Sequence, residues 1–131
     1  LLKRRIDKSN QDRTDLVEQI DSYFWTKFHS IKPLPDATIN TESPAWAIDR
    51  LSILHLKMYH MQEQVNRIDA SAEHIQKCKD KLHVLLQQYS DLSEAISCLL
   101  KDYASGKRIM RVYKQMKMYN DASTNPVLYR K

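Results

Sequence analysis

Apolar side chains recur along most of this chain in alternating steps of three and four residues, which is the spacing of one helix face. The pattern is clearest in the third helix that it predicts, with nine successive positions at Ile75, Cys78, Leu82, Leu85, Tyr89, Leu92, Ile96, Leu99 and Tyr103. A seam of this kind predicts coiled-coil-like packing against neighbouring helices. We therefore expect these nine side chains to be largely buried.

A second helix is predicted to begin at Ser43-Pro44, because serine is a common N-cap and proline is favoured at the first helical position. Its main seam follows the same spacing, at Ala47, Leu51, Leu54, Met58, Met61, Val65 and Ile68. The break that follows, at residues 69–71, is short. A short connection predicts that the second and third helices are antiparallel neighbours.

The second helix also carries a weaker apolar strip outside its main seam, formed by Trp46, Ile53 and Leu56. One bundle of this size does not readily cover two apolar faces of the same helix. We therefore expect the chain to form a homodimer.

The first predicted helix runs from about Leu2 to Ser30, but nine consecutive polar residues, 7–15, interrupt its apolar pattern. The seam implied by Ile6 and by Leu16, Val17 and Ile20 passes through Arg13 and close to Asn10. Either this end of the helix projects into solvent, or polar groups enter the bundle. A buried guanidinium needs a carboxylate or a ligand anion to offset its lost hydration. One hypothesis is an internal ion pair, for which the candidate partners are Asp49, Glu63 and Glu94. The alternative is an anion site in this polar part of the seam.

Beyond the third helix, Ser105-Gly106 predicts a helix end, because glycine adopts the left-handed C-terminal conformation at little cost. Residues 107–119 are then expected to form a short basic amphipathic fourth helix. Three of its cations, one turn apart along one edge, are candidate anion-binding residues: Lys107, Arg111 and Lys114. The partner would be an acidic protein, a nucleic acid or an anionic lipid, and the competing interpretation is a solvated surface.

Composition favours helices and excludes several other classes of protein. One glycine and four prolines in 131 residues cannot supply the turns of a β-sandwich or the glycine-rich loops that cradle phosphates. The mean hydropathy of -0.61 predicts no transmembrane segment. Cys78 and Cys98 lie too far apart in one predicted helix to bridge each other. A cysteine count of two favours a reducing cytoplasm.

Charge is distributed unevenly along the chain, whose formal net charge is +5. Residues 101–131 contain 8 of the 21 Lys and Arg but only 2 of the 16 Asp and Glu. This asymmetry is the second reason to consider an anionic partner at the C-terminal end.

Together these patterns predict an all-α fold, an antiparallel helical bundle of three long helices plus a short basic C-terminal helix. We expect a single domain over residues 1–131, with one long inter-helix loop at residues 32–43. Because the chain begins with Leu1 rather than methionine, we also expect an N-terminal segment to be missing from it.

Three segments of the chain, RLSILHLKMYHMQEQ (50–64), RIDASAEHIQKCKDKLHVLLQQYSDLSEAI (67–96) and GKRIMRVYKQMKMYNDASTNP (106–126), resemble an uncharacterised bacterial family, domain of unknown function 4254. The resemblance implies a compact helical bacterial protein and supplies no catalytic residues. Leu2-Lys3, Ile6-Asp7 and Asn10 are also similar in spacing to the opening helix of all-helical chorismate mutases, whose cations grip a dicarboxylate.

No complete catalytic or metal-binding constellation is apparent in the sequence. A polar cluster at the turn between the second and third helices offers metal-ligand chemistry but no recognised ligand spacing, at His60, Glu63, Arg67, Asp69 and His74. We therefore expect no metal and no cofactor. The sequence favours a non-catalytic helical interaction module in a bacterial cytoplasm. The alternative is a small all-helical enzyme that acts on an anionic metabolite through Arg13 and its polar neighbours.

Overall fold

Three α-helices account for most of residues 1–114, which are the residues that the computed structural model describes. They are α1 (Leu2–Phe28), α2 (Pro44–Val65) and α3 (Ala72–Ser105). Within this described part of the chain there is no strand, and Thr38 and Arg108 form an isolated parallel β-bridge. The all-helical class predicted from the sequence is therefore confirmed.

Serine side chains start both α2 and α3. Ser43 precedes Pro44, and its hydroxyl accepts a hydrogen bond from the amide of Trp46 at 3.4 Å. Ser71 does the same for the amide of His74 at 3.1 Å. Each hydroxyl satisfies an amide that has no carbonyl partner within the first helical turn. The N-cap predicted at Ser43 is confirmed.

The main packing partner of α2 is α3. Both predicted seams lie on the shielded faces of these helices, with the exception of Ile68, which follows the end of α2 and is fully exposed. Among the nine α3 seam positions, Cys78, Ile96 and Tyr103 are buried and the other six are only half-buried. The seam was therefore placed correctly, but the neighbouring helices cover it incompletely.

The apolar side chains in the first half of α1 face solvent, which is one of the two outcomes that the polar interruption at residues 7–15 allows. Leu2, Ile6 and Leu16 are 69%, 51% and 56% exposed, whereas Thr14 and Asp21 are buried. The polar residues are tolerated inside because their hydrogen-bonding groups are satisfied: the Thr14 hydroxyl, for example, donates to the carbonyl of Asn10 at 3.0 Å. The helix also ends at Phe28 rather than Ser30.

The fourth helix predicted over residues 107–119 is wrong for residues 107–114, which are not helical. Gly106 ends α3 with a φ of 77°, as predicted, and the chain then pairs with the loop before α2. The amide of Thr38 donates to the carbonyl of Lys107 at 3.2 Å, and the amide of Ile109 donates to the carbonyl of Thr38 at 3.0 Å. These bonds use the backbone groups that a helix would need. The rest of the predicted helix lies outside the described residues.

The buried core is concentrated where the ends of α1 and α3 meet the long loop. The Tyr103 ring is 1% exposed and lies 5.8 Å from the Phe28 ring. Its hydroxyl donates to the side-chain oxygen of Asn40 at 2.7 Å, and the Asn40 amide donates to the carbonyl of Glu42. We call Phe28, Asn40 and Tyr103 the loop junction, because they bind the loop to two helices at once.

Close backbone packing also shapes this junction. The amide of Leu34 donates to the carbonyl of Gly106 at 2.9 Å, so the loop lies directly against the end of α3. A Cβ atom at Gly106 would lie 2.9 Å from the carbonyl oxygen of Lys32. The only glycine of the chain is therefore required both for its positive φ and for this close approach.

We expect Tyr103→Phe to lower the free energy of unfolding by about 0.5 to 1.5 kcal/mol, because it removes the hydrogen bond to the half-buried side-chain oxygen of Asn40. Burial raises the pKa of Tyr103 above its ordinary value of 10.0. The folded state therefore binds the phenolic proton more tightly than the unfolded state does. The stabilisation of the fold by this protonated hydroxyl is complete below pH 10 and is lost as the pH rises further. Denaturation curves should show a steeper loss of stability above pH 10 for the parent than for the variant; parallel losses would contradict the assignment.

Candidate functional site

A buried carboxylate fixes the position of α1 against the start of α2. Asp21 is 1% exposed and accepts two hydrogen bonds, from the Ser43 hydroxyl at 2.5 Å and from the Ala45 amide at 3.0 Å. The N-terminal end of a helix carries a partial positive charge, so an anion is favoured there. Both carboxylate oxygens are therefore used in holding two helices together, which is a structural role.

Arg13 forms a bidentate ion pair with Asp49 of α2. Its Nε and Nη2 atoms each lie 2.7 Å from a different carboxylate oxygen. The Arg13 side chain is 50% exposed, whereas that of Asp49 is 10% exposed. The hydrogen bonds and the charge of Asp49 raise the pKa of Arg13 above its ordinary value. This guanidinium is thus occupied by one of the three carboxylates considered as partners.

Asn10, the other predicted polar seam residue, lies on the exposed surface of α1. Its carbonyl accepts the Thr14 hydroxyl within the same helix. The structure therefore does not bring Asn10 into a shared cavity with the Arg13 guanidinium.

The three cations of the predicted anion-binding strip are not arranged along one helix edge, because residues 107–114 are not helical. Lys107 is exposed, and its backbone amide binds the carbonyl of Asp102 at 2.9 Å. Arg111 and Lys114 instead line a small cavity of about 280 Å³ next to the loop before α2. Trp46, Tyr113 and residues 39–43 form the remaining walls.

A large open groove lies between α2 and α3, at the end far from the loop junction. It has a volume of about 850 Å³. Its apolar lining includes Ile53, Leu56 and Val84, which are 38%, 58% and 55% exposed. Four charged residues also line it: Lys57, Glu63, Asp80 and Lys81. We call this surface the hairpin groove. It contains two members of the apolar strip predicted on the second helix.

The polar cluster at the α2–α3 turn is divided among local pairs. His60 Nδ1 lies 3.1 Å from a Glu63 carboxylate oxygen, and Arg67 binds Asp69 through two contacts of 3.1 Å. His74 Nε2 lies 3.2 Å from the Gln64 side-chain oxygen. Across residues 1–114, no group of three His, Cys, Asp or Glu side chains is arranged to hold a metal ion.

Two further findings concern membrane-spanning helices and the state of the cysteines. None of the helices in the described residues combines the length and apolar character needed to cross a bilayer. Cys78 and Cys98 are both free, the first buried and the second exposed.

Sequence reasoning missed the residues that organise the structure, which are Asp21 and Asn40. Asp21 was unremarkable among the many charged residues of α1, and its role depends on a contact with the start of α2, 22 to 24 residues later. One available signal was helical spacing. Thr14, Val17, Asp21 and Phe28 are separated by three, four and seven residues, which places Asp21 on the same helix face as the apolar Val17 and Phe28. Asn40 gave no signal beyond its preference for turns.

We predict that Asp21→Ala strongly destabilises the fold, by about 1.5 to 3 kcal/mol for each lost hydrogen bond to the carboxylate. Asp15→Ala is the matched control, because Asp15 lies on the exposed face of the same helix and accepts only from Gln11. Chemical denaturation monitored by circular dichroism should separate the two variants clearly. Equal stabilities would show that the buried carboxylate does not hold α1 to α2.

Comparison with known protein families gives a match over most of the chain. Residues 1–112 match the family described as "Protein of unknown function (DUF4254)". No curated protein and no solved structure matches the chain significantly. The matched region contains all three helices, the loop junction and the hairpin groove. Since it spans most of the 131 residues, the chain belongs to the DUF4254 family, as the sequence resemblance predicted.

Proposed function

We propose that this protein is a non-catalytic helical interaction module that forms a homodimer through the hairpin groove. The observation that carries the proposal is the exposure of adjacent large apolar side chains in that groove, Ile53, Leu56 and Val84. Contiguous apolar surfaces of this kind on a folded chain mark sites of association. Covering them with a second copy would complete the seam that α3 leaves half-buried.

The charges around the groove support a second copy as the partner. Lys57 and Lys81 line it together with Glu63 and Asp80, so the surface carries both signs. A second copy also carries both signs on its surface, so in a twofold dimer the cations of one copy can face the anions of the groove of the other.

The proposal includes an antiparallel arrangement of α2 and α3 and a bacterial cytoplasmic setting. Contacts at two points along the pair support the first, because Gln64 near the turn binds His74, and the His55 ring in the middle of α2 lies 5.2 Å from the Tyr89 ring in the middle of α3. The two free cysteines support the second, since a reducing compartment keeps thiols unpaired.

An enzyme that acts on an anionic metabolite is the competing function, and Arg13 was its main candidate residue. Such an enzyme needs cations that are free to receive the substrate. Arg13 is held by both oxygens of Asp49, and it lines neither the hairpin groove nor the cavity beside Trp46. The ion pair therefore favours the interaction module.

Dimer formation should be lost when a charge is placed in the hairpin groove. We predict that Leu56→Glu and Val84→Glu each shift the protein from dimer to monomer, because each would bury a carboxylate in the interface. Multi-angle light scattering over a range of concentrations measures the mass. Ser90→Glu is the matched control, since Ser90 is exposed on α3 outside the groove. A monomeric parent at every concentration would overturn the proposed function.

A second candidate function is binding of an anionic partner at the C-terminal end. Arg111 and Lys114 support it, because they line one cavity together with the ring of Trp46. The carboxylate of Glu42, which also lines this cavity, is paired with Arg50 at 2.9 Å. Its charge is therefore offset, and the two cations dominate the cavity. Lys107 is the third residue of this proposal and contributes charge at the exposed surface.

If this site binds anionic surfaces, the protein should sediment with vesicles that contain phosphatidylserine and not with neutral vesicles, and salt should weaken the association. The double variant Arg111→Gln/Lys114→Gln should lose most of this binding without a change in melting temperature. Lys77→Gln/Lys79→Gln, on the exposed face of α3, controls for the loss of two charges. Equal sedimentation of the parent with both kinds of vesicle would exclude an electrostatic lipid site.

A further inference from the structure

The first part of α1 presents apolar side chains that the described residues leave uncovered. Leu2 and Ile6 are 69% and 51% exposed and lie one turn apart on the same helix face. The first ion pair between α1 and α2 along the chain is that of Arg13 with Asp49. Residues 2–12 therefore precede both this ion pair and the first buried residue of α1, Thr14.

The first part of α1 gains stability from a partner. Residues 2–12 continue a helix that runs on to Phe28, so they need no nucleation of their own, but a helix end without tertiary packing frays in water. Residues 2–12 have only local i,i+4 side-chain pairs to support them, Lys3 with Asp7 and Lys8 with Asp12. Each such pair contributes only about 0.2 to 0.5 kcal/mol. Packing of Leu2 and Ile6 is the larger stabilisation available to it.

We propose that residues 2–12 of α1 lie in the hairpin groove of a second copy, and that the second copy returns the same contact. The inference rests on the proposed function, since it names the segment that occupies the dimer interface. The face that enters the groove carries Leu2 and Ile6, and it meets Leu56 and Val84 of the other copy.

The lengths of the two surfaces agree. At 1.5 Å per residue, residues 2–12 extend for about 17 Å. The part of α2 that lines the groove runs from Ile53 to Gln64, or about 18 Å by the same measure. The segment is therefore long enough to span the groove, with Leu2 and Ile6 against the apolar lining and the polar residues 7–12 leading back to their own chain.

Charge complementarity selects the direction of the segment. Three consecutive cations lie at its N-terminal end, Lys3, Arg4 and Arg5. Two carboxylates, Glu63 and Asp80, and one cation, Lys81, lie at the end of the groove nearest the α2–α3 turn. When Leu2 is placed at that end, the three cations of the segment come close to the two carboxylates. The reverse direction moves them away.

A twofold exchange of this kind is closed. Each chain donates one segment and offers one groove, so no apolar surface of either type remains to recruit a third copy. The same contact therefore covers both the exposed face of residues 2–12 and the hairpin groove. It predicts a dimer rather than a larger assembly.

Disulfide trapping between two distinguishable copies tests the exchange. One copy carries Ile6→Cys and the other Val84→Cys, both in a Cys98→Ser background that removes the exposed native thiol. The copies differ in mass through a tag on one, and they are mixed, refolded together and oxidised. We expect the mixed-mass dimer to be the main product. Lys8→Cys replaces Ile6→Cys in the control, because Lys8 lies on the other side of the same helical turn.

Three results would overturn the inference. Ile6→Cys and Lys8→Cys copies that cross-link to the same extent would show no preferred face. A chain with both Ile6→Cys and Val84→Cys that closes on itself as a monomer would show that α1 covers its own groove. The third result is a dimer that dissociates with Leu56→Glu but is unaffected by Ile6→Glu. It would support the hairpin groove as the interface and contradict α1 as the segment that occupies it. Gln19→Glu controls for the added charge.

Discussion

The buried carboxylate of Asp21 is the constraint on which the arrangement of the three helices depends. It lies in the shielded face of α1 and accepts hydrogen bonds from Ser43 and Ala45 at the start of α2. A carboxylate that is removed from water is stable only when such donors are fixed in place. Its position therefore requires α1 to meet α2 at that helix end. The long loop is in turn bound through Asn40 to Tyr103, which brings the end of α3 into the same core.

This constraint divides the molecule into two unlike ends. Around Tyr103 the helix ends, the loop and the segment after Gly106 are joined by buried hydrogen bonds and aromatic packing. At the other end, α2 and α3 form a pair with an open apolar groove, and the first part of α1 carries its own exposed apolar residues. The first end holds one chain together. In our proposal, the second end joins two chains and gives this member of the DUF4254 family its role as an interaction module.

Local sequence signals predicted the helices well and their mutual arrangement less well. The seam of α3, the Ser43-Pro44 start and the Gly106 stop depend on residues close together in the chain, and each was placed correctly. The burial of Asp21 in the inside face of α1 was not predicted, because it depends on donors from another helix rather than on apolar character. The segment after Gly106 has amphipathic spacing, yet the bridge with Thr38 decides its conformation. The partner of Arg13 could be narrowed to three carboxylates, and only the fold selects Asp49.

Hydrogen exchange of backbone amides at two protein concentrations tests the division into a fixed end and an assembling end most directly. Amides in the loop junction, such as those of Gly106 and Ile109, should be protected equally in dilute and concentrated protein, because their hydrogen bonds lie within one chain. Amides of residues 2–12 and of the two helices that line the hairpin groove should exchange faster on dilution. Protection of residues 2–12 that does not change with concentration would contradict the account.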